Sequence, residues 1–501
     1  MKININQKLL QNTKLYNRRN FLKKTALIAS PLIMKFPQGL SKNKKKRNII
    51  FILIDDMRYD AMSYLGHPIL KTPNLDHLAK NGILFKNGFV TTSLCSPSRA
   101  SILTGLYAHK HCVINNSTTL PKMIPTFPVE LQKLGYKTGF VGKWHMGNIS
   151  DDPQPGFNRW VSFRGQGPYF NPLFNIDGKH IQREGYTPDI TTEYSIDFIR
   201  KYKNNPFFLY MSHKAVHALF EPAPRHKGKY SNVTVPKPKS FTNTPENYKG
   251  KPEWVKKQRN SWHGVDGMYD HQMDFDQFYK DYCECVLGVD DSIGELLDIL
   301  NNEGLLEDTL IIFMGDNGFL FGEHGLIDKR TMYEPSIRVP LIVHCPALAQ
   351  KGQIKDELVL NIDIAPTILD VAGIKVPISM HGKSFLPLIK GSGVEWRKEF
   401  LYEYFWEREY PQTPTVTGLR TTKYSYMKYY GIWDQNELYD VEKDPDQMNN
   451  LLGDVRLTTQ SGQLNNQIKD PNLKKLVLEL EEKLLKIITE TDGTVEPTWK
   501  L

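Results

Sequence analysis

Apolar residues in this chain gather into short unbroken runs, and several runs stop abruptly at charge. Ile49-Ile50-Phe51-Ile52-Leu53-Ile54 is continuous and rich in β-branched residues, the pattern of a strand buried on both faces. It stops at Asp55-Asp56, and two carboxylates at the end of a buried strand are costly unless something cationic holds them. Leu310-Ile311-Ile312-Phe313-Met314-Gly315 stops at Asp316-Asn317-Gly318. Thr138-Gly139-Phe140-Val141-Gly142 stops at Lys143-Trp144-His145, and Pro206-Phe207-Phe208-Leu209-Tyr210-Met211 stops at Ser212-His213-Lys214, with His217 just beyond. Between the runs the period changes. Asn74-Leu75-Asp76-His77-Leu78-Ala79 predicts a helix start with Asn74 as its cap. Ile293, Leu296, Leu297 and Leu300 recur at helical spacing. Strands alternating with helices predict an α/β fold. In open α/β sheets ligands bind beyond the carboxyl ends of the strands, and four strands here place Asp, Asn, Lys and His at that edge.

The C-terminal part has a different texture. Thr421 to Met427 alternates weakly and reads as a strand of a smaller sheet, and Leu473 to Ile488 reads as an amphipathic packing helix. The run Glu403-Tyr404-Phe405-Trp406-Glu407-Arg408-Glu409-Tyr410 mixes aromatic and charged residues. It suits either a sugar-binding surface or a half-buried strand followed by a charged loop. Residues 222–262 are rich in Pro, Lys, Asn and Gly and read as a long active-site loop or insertion.

Composition narrows the class. With 501 residues and 40% hydrophobic content there is enough chain for one large domain plus a smaller one. An aromatic content of 11% argues against wholesale disorder, and five cysteines cannot staple a chain of this length. No apolar stretch is long enough to span a bilayer, so no membrane span is expected in the mature chain. The net charge of +9 would suggest a nucleic-acid partner, but residues 1–47 carry 13 Lys or Arg and no Asp or Glu. The remainder is mildly acidic, and no nucleic-acid partner is expected. Arg18-Arg19-Asn20-Phe21-Leu22-Lys23-Lys24 precedes a short apolar run, which looks like a twin-arginine export signal over 1–40, with an ordinary secretory signal or a basic tail as alternatives. Residues 41–47 read as a solvated basic linker. The expected location is the periplasm, reached through the export machinery, with secretion as the alternative.

The segment Ser93-Leu94-Cys95-Ser96-Pro97-Ser98-Arg99-Ala100-Ser101-Ile102-Leu103-Thr104-Gly105 carries the most specific signal. Pro97 suits the first turn of a helix and Gly105 its end. Cys95 then sits at the helix mouth, where unpaired N–H groups favour an anion, with Arg99 one turn on. A buried structural cysteine before an ordinary helix fits these residues as well.

Cys95-x-Pro97-Ser98-Arg99 followed by Leu103-Thr104-Gly105 resembles the signature of the formylglycine-dependent sulfatases. Thr72-Pro73-Asn74-Leu75-Asp76, Gly142-Lys143-Trp144-His145, Lys329-Arg330-Thr331-Met332-Tyr333-Glu334 and Glu437-Leu438-Tyr439-Asp440 match in the family's order. The resemblance implies an alkaline-phosphatase-like fold, a large mixed sheet flanked by helices. It implies a catalytic domain over 48–374 and a smaller C-terminal α/β subdomain over 375–501. It implies that a formylglycine-generating or anaerobic maturation enzyme oxidises Cys95 to formylglycine, whose hydrated aldehyde is the nucleophile. Asp55, Asp56, Asp316 and Asn317 match the metal ligands, with residue 95 beside them, and hard oxygens suit Ca²⁺ better than Zn²⁺. Arg99, Lys143, His145 and Lys329 would surround the sulfate, and His217 would protonate the leaving alcohol. The family's histidine usually sits in Pro-His-x-Pro; here the setting is Val216-His217-Ala218-Leu219, with His213 as the rival acid or a substrate contact. His324, Trp406, Glu407 and Arg408 are further candidate substrate contacts. The whole is similar to bacterial polysaccharide sulfatases, which implies a sulfated oligo- or polysaccharide substrate, an algal polymer such as ulvan or N-acetylglucosamine-6-sulfate of a glycosaminoglycan or mucin. A phosphoester or phosphonate hydrolase of the same superfamily, or a non-catalytic glycan-binding relative, are the alternatives.

Overall fold

The computed structural model describes residues 46–271, 273–430, 435–453 and 468–494. The expected export signal and most of the basic linker lie outside them. At the linker's end Arg47 is ion-paired with Asp308 rather than simply solvated.

The four predicted strands form, and they lie side by side. Asn48–Ile54 pairs in parallel with Phe207–His213 on one side and Thr309–Gly315 on the other. Lys137–Lys143 pairs in parallel with the far edge of Phe207–His213. These strands form the centre of a ten-stranded mixed sheet, which extends through Leu341–His344, antiparallel to Thr309–Gly315, and through Arg159–Phe163. The runs are continuously apolar because both faces are covered. Ile49, Phe51 and Leu53 point into one core, whereas Ile50, Ile52 and Ile54 point into another, as the two-residue strand period requires.

The second core is closed by the 28-residue helix Phe275–Asn302, which contains the predicted Ile293–Leu300 stripe and packs on Thr187–Tyr202 and Pro73–Lys80. The first core is closed by Cys95–Thr104, Phe127–Lys133 and Ile364–Val371, and it runs on without a break into the C-terminal region. There a four-stranded antiparallel meander, Glu399–Tyr404, Thr415–Thr421, Tyr424–Tyr430 and Glu437–Asp440, is backed by the amphipathic helix Pro471–Glu490 through Val477, Leu480, Leu484 and Ile488.

Two local expectations are corrected. Thr72, not Asn74, occupies the N-cap position of Pro73–Lys80, without a side-chain capping bond, and the Asn74 side chain instead reaches Asp290, donating to its backbone carbonyl at 3.0 Å. Of Thr421 to Met427, residues 424–427 do belong to a strand of the smaller sheet, but Thr421 ends the strand before it, because its hydroxyl accepts from the backbone N–H of Lys423 and Tyr424 and folds the chain back.

Candidate active site

Each central strand delivers its charged terminus to one point. Asp55 and Asp56 leave Asn48–Ile54, Asp316 and Asn317 leave Thr309–Gly315, and all four are fully buried. The carboxylates of Asp55, Asp56 and Asp316 offer oxygens within 4.8 Å of one another. The turn is held by the Asp56 N–H, which donates to Asp316 Oδ1 at 3.0 Å, and Asp56 takes a left-handed φ of 55° to make it.

Three cations compensate the three carboxylates. Lys143, at the end of its strand, is ion-paired with Asp55 and also donates to Gln166. Lys329 Nζ lies 2.6 Å from both oxygens of Asp56. Arg99 grips Asp316 through Nε at 2.9 Å and donates Nη1 to the Lys143 carbonyl and the Ser212 hydroxyl, each at 2.7 Å. The guanidinium thus holds the carboxylates and the strand ends together. Burial alone would raise the Asp55 carboxyl, but Lys143 and Arg99 pull it well below the usual range. Asp56 is pushed up to about 7 by burial and by the facing Asp55 and Asp316 carboxylates, against the pull of Lys329. Burial and Asp55 likewise raise Asp316.

Cys95 opens the helix Cys95–Thr104, which begins after Leu94 with no side-chain cap and ends at Gly105 in the left-handed conformation. Its Sγ is 3.5 Å from Asp55 Oδ1, and Cys95, Asp55 and His217 bring their side-chain heteroatoms within 4.8 Å of one another. Burial and the Asp55 charge push the thiol far above its ordinary range. As an unmodified cysteine it would hold its proton and be a poor nucleophile.

His217 stands over the cluster with Nε2 3.9 Å from Asp56 Oδ2, while its Nδ1 meets the Ala218 carbonyl. A carbonyl only accepts, so the proton sits on Nδ1 and Nε2 presents its lone pair inward. Burial, then Lys329 and Lys143, depress the imidazole well below its ordinary range. His145 is buried with neither ring nitrogen partnered. Burial and the Lys143 charge keep it neutral.

The other expected contacts fall elsewhere. His213 is fully buried on the face of the long helix, where its Nε2 meets the Ser292 hydroxyl at 3.0 Å. His324 is buried against the Tyr333 ring at 4.1 Å. Glu407 is also buried, accepting from Arg330 Nε at 2.7 Å and from the Tyr404 hydroxyl at 2.9 Å. The structure thus pairs His213 with Ser292 and Glu407 with Arg330 and Tyr404, and packs His324 on Tyr333, rather than joining any of the three to the carboxylate cluster by a hydrogen bond. Trp406 and Arg408 are exposed on the link between two strands of the meander, and Trp406 Nε1 donates to the Pro411 carbonyl. Sequence reasoning missed Gln166 on Lys143; its place between Gly165 and Gly167, both left-handed, was the available signal of a tight turn.

A family model described as Sulfatase matches residues 47–374, and one described as N-sulphoglucosamine sulphohydrolase, C-terminal, matches residues 322–475. The chain belongs to the sulfatase family. This sulfatase is 34% identical to an N-acetylglucosamine-6-O-sulfatase of Bacteroides thetaiotaomicron over 87% of its own length and 89% of the relative's. It is 29% identical to an ulvan-active sulfatase of Formosa agariphila, covering 92% and 88% of the two chains. Among solved structures it resembles a protein in complex with its substrate D-glucosamine-2-N,6-O-disulfate. That match has 32% identity and a TM-score of 0.80, and covers 90% of this chain and 100% of the other. The sulfatase therefore has the alkaline-phosphatase-like fold and is a sulfuric ester hydrolase.

The acidic cluster fits a metal ion. Its donors are all oxygens, and the Oδ1 of Asn317 is buried without a hydrogen-bond partner while its Nδ2 donates to Asp56 at 2.6 Å. An unpaired amide oxygen beside three crowded carboxylates is what a hard cation would satisfy.

Proposed function

We propose that this sulfatase hydrolyses the 6-O-sulfate ester of a glucosamine unit in a sulfated carbohydrate, using formylglycine made from Cys95 and Ca²⁺ held by Asp55, Asp56, Asp316 and Asn317. The observation that carries the reading is the meeting of Cys95, Asp55 and His217 beside the three-carboxylate cluster. The glucosamine preference is supported by the similarity to the Bacteroides relative and to the disulfated-glucosamine complex. Division into a catalytic domain over 48–374 and a C-terminal subdomain over 375–501 belongs to the same reading. So do export to the periplasm on a signal over 1–40 and the action of a maturation enzyme on Cys95.

When bound, the metal would neutralise sulfate charge and orient the ester for in-line displacement. Lys143 and Lys329, buried and already at the carboxylates, are placed to share their charge with the sulfate oxygens as negative charge spreads. Arg99 acts at one remove, fixing Asp316 and the Lys143 loop. His145 offers a neutral ring N–H in the same dry pocket. His217 begins as a neutral imidazole because burial, then Lys329 and Lys143, oppose its protonation. An arriving sulfate monoester brings negative charge beside it, which raises its affinity for a proton. The proton then lies on Nε2, from which it can pass to the leaving alkoxide.

The test is sulfate release, read by ion chromatography, from N-acetylglucosamine 6-sulfate and its 3-sulfate isomer. It is joined to mass spectrometry of the peptide containing residue 95. The expected result is turnover of the 6-sulfate and an aldehyde or its hydrate at residue 95. Active protein carrying an unmodified thiol would sink the nucleophile assignment, and preference for the 3-sulfate would sink the regiochemistry.

A further inference from the structure

The segment expected to be an active-site loop ends in a tightly coiled stretch beside Lys329. Arg259 clamps it, donating from Nε to Asp266 at 2.6 Å and from Nη1 to the Phe241 carbonyl, also at 2.6 Å. A Cβ at Gly264 would meet the Arg259 carbonyl oxygen at 2.1 Å, so only glycine permits the coil. The backbone N–H of Ile327 donates to the His263 carbonyl at 2.9 Å, tying the coil to the strand that leads into Lys329. The coil holds Trp262 outward, 44% exposed. It holds Tyr269 in a left-handed conformation, φ 45° and ψ 50°, which is unfavourable for a bulky side chain and is characteristic of functional sites.

Across from this coil lies the link that follows Glu399–Tyr404. Between them is a cavity of about 370 Å³, lined by Trp262, His263, Glu409, Tyr410, Gln412 and Thr413 among others, within the size range of a small-ligand site. Thr413 donates to Gln258 Oε1 at 3.0 Å and closes the rim. The Tyr410 ring is held between the His263 ring at 4.5 Å and the Arg330 guanidinium at 4.0 Å. His263 Nε2 is 3.6 Å from Asp328 Oδ2. Asp328 and Arg330 are the two neighbours of Lys329, so the inner wall of the cavity is one residue away from the catalytic cluster. Trp262 packs edge-on against Tyr269 at 5.3 Å, extending the aromatic wall outward.

We propose that this cavity is a subsite for an uncharged sugar, the unit glycosidically joined to the sulfated glucosamine; this rests on the glucosamine reading above. Trp262 supplies an exposed aromatic face for the apolar face of a pyranose. Gln412, Thr413 and Glu409 supply groups for its hydroxyls. The lining residues include Glu409 and no Lys or Arg, and the nearby Arg330 is committed to Asp328 and Glu407. A uronate or a second sulfate in the cavity would therefore meet a carboxylate with no cation among the lining residues.

The experiment measures kcat/KM for sulfate release from three substrates. These are N-acetylglucosamine 6-sulfate, a disaccharide joining it to a neutral hexose, and a disaccharide joining it to a uronate. The neutral disaccharide should exceed the monosaccharide by about tenfold, and the uronate disaccharide should not. Trp262→Ala should bring the disaccharide-to-monosaccharide ratio close to one, with Trp262→Phe retaining part of it. Glu409→Gln should improve the uronate disaccharide several-fold. A preference for the uronate, or an unchanged ratio in Trp262→Ala, overturns the subsite while leaving the glucosamine reading intact. Turnover of an aryl sulfate but of none of the three sugars overturns the glucosamine reading, and this inference with it.

Discussion

Two buried carboxylate sites show how differently one chain can treat the same chemical group. Glu437, in the C-terminal meander, is fully buried and faces no ion-paired Lys or Arg among the described residues. Three tyrosines donate to it instead: Tyr333 at 2.9 Å, Tyr429 at 2.7 Å and Tyr439 at 2.5 Å. Both carboxylate oxygens are met by neutral hydroxyl donors. Asp55, Asp56 and Asp316 are equally buried but crowd one another, lean on flexible lysines and leave the Asn317 amide oxygen unpaired. A carboxylate kept for structure has its hydrogen bonds completed by the protein. A carboxylate cluster kept for chemistry leaves the amide oxygen beside it without a partner, so that binding completes the site.

Substitutions should separate the two sites in kind. The largest effect is expected at Asp316→Asn, which removes charge from the cluster and loosens Arg99. Sulfate release should fall by about three orders of magnitude or more, with a near-wild-type circular dichroism spectrum; a loss under tenfold would place Asp316 outside the chemistry. His217→Ala should cost about 10²–10⁴ on a sugar sulfate and far less on an aryl sulfate, whose phenolate needs no proton to depart. Equal losses on both substrates would remove it as the acid. Glu437→Gln should do the reverse, leaving kcat within a few-fold while lowering unfolding stability by about 1–3 kcal/mol in denaturant titration, because an amide N–H₂ must face a tyrosine donor. Loss of activity at full stability would break the comparison. The smallest expected effect is thermal: added Ca²⁺ should raise Tm of the wild type by a few degrees through preferential binding to the folded state. Asp316→Asn should show no such rise, and Glu437→Gln should still show it.

Much of the fold and part of the cluster were legible in the sequence, for a physical reason. A strand buried on both faces must be continuously apolar, so the four central strands announce themselves, and so do the charges at which they stop. The Cys95 helix was readable from Pro97 and Gly105, because helix ends follow local rules. What stayed hidden depended on partners far along the chain. His213 stands in sequence as the rival of the preferred His217, yet His213 still belongs to a strand whose residues alternate between faces, and its turn falls toward Ser292. Glu407 looked like a surface carboxylate until Arg330 and Tyr404 claimed it. The cavity at Trp262 and Tyr410 joins segments separated by more than a hundred residues, and no local pattern encodes such a meeting.

Burial of the cysteine helix also sets a clock on biosynthesis. Ser93, two residues before Cys95, is fixed by the Tyr402 hydroxyl 309 residues later, and Ser98 by Asn361, 263 residues later. Those partners do not exist when residue 95 leaves the ribosome. At ~5–20 residues per second, the helix waits for roughly 15–60 s before its lid has been synthesised. Once that lid closes, the helix that begins at Cys95 is buried along its whole length. An enzyme that rewrites the side chain of residue 95 before the segment folds is served by that interval, so slower translation downstream of residue 95 should yield a more completely converted protein.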